Sequence, residues 1–103
     1  DALRQHVQMR VDHVLEPFAR WVVKVTARLD DVNADRGGID KQCRIVVSLR
    51  RRGIAIAAVT HTDLYSAVDE AAIKVRRSVK RAVTRHVHRE RMDPQRPGAL
   101  LAV

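Results

Sequence analysis

The chain has 103 residues, 46% of them hydrophobic and 3% aromatic, with a formal net charge of +8 and a sequence pI of about 11.0. That length suits one domain with a modest core and leaves little room for a deep catalytic cleft. A single cysteine, Cys43, excludes an internal disulfide; the rings of Phe18, Trp21 and Tyr65 are too few for single-strand binding by base stacking; and no apolar run approaches the ~18–20 residues that span a bilayer. With no signal peptide in view, the expected location is the cytoplasm.

Residues 2–16 read as an amphipathic helix, because Leu3, Val7, Val11 and Val14 recur at steps of three and four and Phe18 extends the stripe. Pro17 disfavours helical geometry in Glu16 and should end the helix there. Trp21, Val23, Val25, Ala27 and Leu29 then alternate with Val22, Lys24, Thr26, Arg28 and Asp30, which predicts a strand with the first set buried. Residues 30–40 are polar, contain Gly37-Gly38, and read as a loop. Cys43, Ile45, Val47 and Leu49 alternate with Arg44, Val46, Ser48 and Arg50 in a second strand. Arg51-Arg52-Gly53 forms a tight connection in which Gly53 is free to take positive φ. Ile54 to Thr60 gives a third strand, weakened by its alanines.

Asp63 is a natural N-cap for a second helix running to about Arg91. Leu64, Val68, Ala71 or Ala72, Val75, Val79 and Val83 line its apolar side. Asp93, Pro94, Pro97 and Gly98 end it, and the 92–103 tail is expected to be disordered. The whole therefore reads as one α+β domain over residues 1–91. Its helices should lie on one face of a mostly antiparallel sheet, as a two-layer sandwich.

The excess charge is concentrated. Residues 1–73 carry a net +1, whereas residues 74–91 hold eight cations against Glu90 alone. Lys74, Arg77, Arg81 and Arg85 share one face of the second helix at steps of three and four, with Arg76 and Lys80 in an adjacent row. Soluble helices usually intersperse both signs, so this stripe points to a polyanion, drawn by counterion release. Lys24, Arg28, Arg44 and Arg50 fall opposite the core-facing strand positions and are expected on the open face of the sheet. Charged strand positions also serve simply to block edge pairing, and the two readings weigh equally there. His86 and His88 are two apart and point in different directions on a helix, no carboxylates stand at ligand spacing, and Cys43 lies on an apolar strand face. Neither a metal nor a cofactor is expected. Ser48, Ser66 and Ser78 lack a local base, so an enzyme reading has no supporting constellation.

The segment Asp63-Leu64-Tyr65-Ser66-Ala67-Val68-Asp69, with Lys74 and Arg77 following, resembles the second-helix signature of ribosome hibernation-promoting factors. That family includes ribosome-associated inhibitor A and the sigma-54 modulation proteins. Ala2-Leu3-Arg4 with Val7 is similar to the start of its first helix. Leu29 to Asn33 and Arg36 to Arg44 resemble a branch with a longer loop between strands. The resemblance covers roughly residues 1–90. It implies a β-α-β-β-β-α fold that binds rRNA of the small ribosomal subunit, where messenger and transfer RNA pass, and silences translation under stress. It also implies RNA contact by Lys74, Arg77, Lys80 and Arg81. The family's first strand and the dimerisation domain of its long form have no counterpart in this sequence. The strand beginning near Trp21 should therefore leave an unpaired edge, open to a partner strand or to self-association.

Two other readings share the α-β-β-β-α order. A double-stranded RNA-binding domain carries cations at the start of its second helix, where this sequence has Asp63, Asp69 and Glu70. A protein-interaction module would use the sheet edge, and its binding would be far less sensitive to salt.

Overall fold

The computed structural model describes residues 2–31 and 41–92, with side-chain surroundings given for 2–31 and 41–85. Helix α1 spans Ala2–Leu15, and a 3₁₀ segment, Glu16–Trp21, follows it. Strands β1 (Val22–Asp31), β2 (Lys41–Leu49) and β3 (Gly53–His61) come next, then the long helix α2 (Leu64–Met92). The sheet is fully antiparallel in the order β1-β2-β3. Both helices take the same side of it, as the α+β reading requires, with α2 packed on β2 and β3 and α1 packed on α2. The expected tail and most of the expected loop lie outside the described residues; Asp30 and Asp31, read as loop, extend β1.

The α-helical geometry of α1 stops at Leu15, one residue before the expected end, and the chain tightens into the 3₁₀ segment, with Pro17 in its first turn. Val11, Val14 and Leu15 are buried, and Phe18 and Trp21 pack partly against the core.

Strand β2 is central, and its alternation is followed strictly: Cys43, Ile45, Val47 and Leu49 are all buried. Burial also pushes the Cys43 thiol from 9.0 up to about 11. In β3 the register opposite Val47 and Ile45 sends Ala55 and Ala57 inward, with Val59, and leaves Ile54 and Ile56 exposed. The small residues let α2 approach closely, and it presents its own Ala67, Ala71 and Ala72 there. Val68, Val75 and Val79 fill the remaining space, each worth about 1.5–3 kcal/mol relative to exposure.

Strand β1 departs from its sequence pattern. Val22 pairs with Leu49 but Lys24 pairs with Ser48, so Val23 is an extra residue, a β-bulge. The bulge turns Val22 toward the core and leaves Val23 62% exposed, against the expected alternation; Ala27 is exposed as well, while Val25 and Leu29 remain partly buried. Among the described residues the outer edge of β1 is unpaired. Beside it runs a groove of about 550 Å³ between α1, the 3₁₀ segment and β1, lined in part by Val11, Leu15, Val22 and Val25.

Candidate nucleic-acid interface

The Asp63 carboxylate opens α2 as its N-cap, accepting from the Ser66 N–H at 3.0 Å and from the Ser66 hydroxyl at 3.0 Å. These bonds, the backbone one foremost, hold the Asp63 carboxyl below its usual value. Nearly two turns later the acidic residues are consumed locally. Asp69 Oδ1 lies 2.8 Å from His6 Nε2 and 3.2 Å from Arg10 Nε on α1, and Glu70 faces His61 at 3.8 Å. The acidic start of α2 therefore faces α1 and the end of β3, and among the described residues no carboxylate pairs with the cations beyond it.

Lys74, Arg76, Arg77, Lys80, Arg81 and Arg85 are all exposed, while Val75, Val79 and Val83 between them are buried. Among the described residues none of the six makes an ion pair; Arg81 only donates to the Ser78 hydroxyl at 3.3 Å. Helical spacing splits them. Lys74 and Arg81 lean toward the outer edge of β3, Arg77 rides near the crest, and Arg76 and Lys80 turn to the flank that carries Asp69. On the β3 side, Lys74, Arg77, Ser78 and Arg81 border a depression of about 320 Å³ with Ile56 and Ala58. A second depression lies among Lys80, Arg81, Thr84 and Arg85 on the outward surface. This is a shallow cationic surface along the exposed side of α2 and beside β3.

The strand cations form a separate group. Lys24, Arg28 and Arg44 are exposed on the face away from the helices, in register with Ser48, with Arg44 and with Arg28 respectively. Nine of the ten expected contact residues are thus divided between two sides of the sheet rather than gathered in one patch. Arg50 joins neither side. Strand β2 ends at Leu49, and Arg50 sits in the turn, its backbone N–H donating to the Trp21 carbonyl at 2.7 Å.

Sequence reasoning passed over the neighbours of Arg50. Arg51 and Arg52 complete the turn, and the guanidinium carbons of Arg20 and Arg52 lie 5.0 and 5.5 Å from the centre of the Trp21 ring. The signal available was three consecutive arginines before a glycine, together with an Arg-Trp pair. Among the described residues no three histidine, cysteine, aspartate or glutamate side chains gather at metal-binding distance, and no helix is long and apolar enough to cross a membrane.

The family model described as sigma 54 modulation protein / S30EA ribosomal protein matches residues 1–87. Among solved structures, the crystal structure of the Thermus thermophilus Protein Y N-terminal domain is similar to this chain with a TM-score of 0.57 and 24% identity. The match covers 79% of this chain and 82% of that one, and it supports the fold. No curated protein matches the sequence.

Proposed function

The chain belongs to the sigma 54 modulation protein / S30EA ribosomal protein family, and from that premise we propose that it is a cytoplasmic ribosome hibernation factor. In this reading it binds rRNA of the small subunit in the channel used by messenger and transfer RNA, and it inhibits translation under stress without catalysing a reaction. The observation that carries the reading is the run of exposed cations from Lys74 to Arg85 along α2, none of which pairs with a carboxylate among the described residues. Each cation placed on a phosphate releases condensed counterions, so binding should weaken steeply with salt. The Lys24, Arg28 and Arg44 face would meet a second stretch of backbone.

The test is binding to purified small subunits at two salt concentrations, for the wild type and for Lys74→Ala/Arg77→Ala/Lys80→Ala/Arg81→Ala. The variant should remain folded, because these side chains point away from the core. It should lose several kcal/mol of affinity, at ~1 kcal/mol or more per charge-assisted contact. Its salt slope should flatten by about one per phosphate contact removed. Equal affinity in two folded proteins would remove α2 from the binding surface.

The open edge of β1 and its groove favour a subordinate reading, in which a strand from a partner or a second copy adds to the sheet. Binding through that edge would be nearly independent of salt.

A further inference from the structure

We propose that the β2–β3 turn, together with Arg20 and Trp21, is a second phosphate-binding site, which grips RNA at the end of the sheet independently of α2. The inference rests on the RNA-binding reading and deepens it.

Arg51 adopts φ +62°, in the left-handed region that Cβ sterics disfavour for residues other than glycine and asparagine. Gly53, in the same turn, takes φ +80° with a glycine where the backbone asks for one. A turn selected for geometry alone would place glycine or asparagine at 51 as well. An arginine there costs stability, and flanking it with Arg50 and Arg52 adds repulsion. Among the described residues none of Arg20, Arg50, Arg51 or Arg52 has a carboxylate partner to offset this. A strained residue without internal compensation points to a use outside the fold.

The arrangement also fits the use. Arg20 and Arg52 rest their guanidinium groups against the indole of Trp21, which fixes their planes; Arg20 and Arg51 are exposed, whereas Arg52 Nε is buried. Arg52 Nη1 donates to the Arg50 carbonyl at 3.0 Å, which braces the turn. Planar forks held by stacking are suited to bidentate contact with phosphate oxygens. The turn lies about 10–17 Å along β3 from the depression at Ile56 and Ala58, at ~3.3 Å per residue from Gly53, so it would meet a different run of phosphates.

Arg51→Gly separates use from structure, because glycine relieves the strain while deleting the cation. Binding of the full chain to purified small subunits, measured across salt, should become roughly fivefold weaker, the loss of one contact of ~1 kcal/mol. The log–log salt slope should flatten by about one. The thermal midpoint should rise. Arg77→Ala/Arg81→Ala is measured in parallel. If that variant weakens binding while Arg51→Gly changes neither affinity nor slope, the second site is wrong and the functional reading stands. If neither variant matters, the RNA-binding reading falls, and this inference with it. Trp21, the only tryptophan, gives a local readout: its emission should change on titration with protein-free ribosomal RNA. A response to polyglutamate but not to RNA would overturn the assignment in favour of an acidic protein.

Discussion

Arg28 and Arg44 stand directly opposite each other across β1 and β2, both exposed on the side of the sheet away from the helices. Arg28 relieves part of the repulsion by pairing with Asp30 at 3.1 Å on its own strand. Like charges at this position still destabilise a sheet. Arg44→Thr should therefore stabilise the protein by ~0.2–1 kcal/mol at low salt. The gain should shrink at 1 M salt, where the Debye length is about 3 Å. Urea denaturation at both ionic strengths measures it, and a gain indifferent to salt would point to strand propensity instead.

Asp69 is the polar link between α1 and α2, holding both His6 and Arg10. Its side chain is 43% exposed, so solvent screens the pairing. Asp69→Ala should cost ~0.5–1.5 kcal/mol. Amide exchange should accelerate in α1 before it does in β2, because α1 rests mainly on α2. Uniform acceleration across the domain would show that α1 does not open separately.

Val75 has no exposed surface, whereas Ile73, two residues earlier on the same helix, is 42% exposed. Val75→Asp buries a charge without a partner and should cost at least ~3 kcal/mol, a large part of the stability of a domain of this size. Ile73→Asp should change stability by about 0.5 kcal/mol or less. Circular dichroism of the pair checks the facing of α2, and similar losses in both would contradict it.

Asp63 caps α2 as a carboxylate, and its carboxyl titrates below 3.8 in the folded chain. A depressed folded value means that the cap contributes fully above the unfolded value and is lost as pH falls through the folded one. Asp63→Ala should lower the thermal midpoint at pH 7, and the difference from wild type should fade as the pH is taken below 3.8. A deficit that persists undiminished in acid would mean that the carboxylate charge is not what caps the helix.

The legible parts of this fold are those where one face is buried and the period is unbroken. Cys43, Ile45, Val47 and Leu49 declare β2, and Val68, Val75, Val79 and Val83 declare the inner side of α2, because each step lands in the core. The bulge at Val23 was not legible, since one extra residue reverses parity while leaving an equally good alternation of valines on paper. The facing of β3 was open for a related reason. Its larger side chains, Ile54 and Ile56, lie outside, and only the pairing with β2 and the closeness of α2 select the alanines for the core. Of the candidate surface, the α2 cations were readable from charge and period together. The turn cluster was not, because Arg20 and Arg50–Arg52 are far apart in sequence and meet only when the Arg50 N–H reaches the Trp21 carbonyl.

The position of Cys43 turns the domain into its own stopwatch. Its sulfur sits on the central strand with β1 on one side and β3 on the other, wholly enclosed, and its thiol is held near 11. Alkylating reagents attack the thiolate, so the closed molecule is inert to them and only chains that have parted the sheet are consumed. At saturating reagent the rate of covalent capture becomes the rate at which the sheet opens, read by mass without an engineered probe. Ribosome binding, wherever it braces β2, should then register as a longer lifetime of the free thiol.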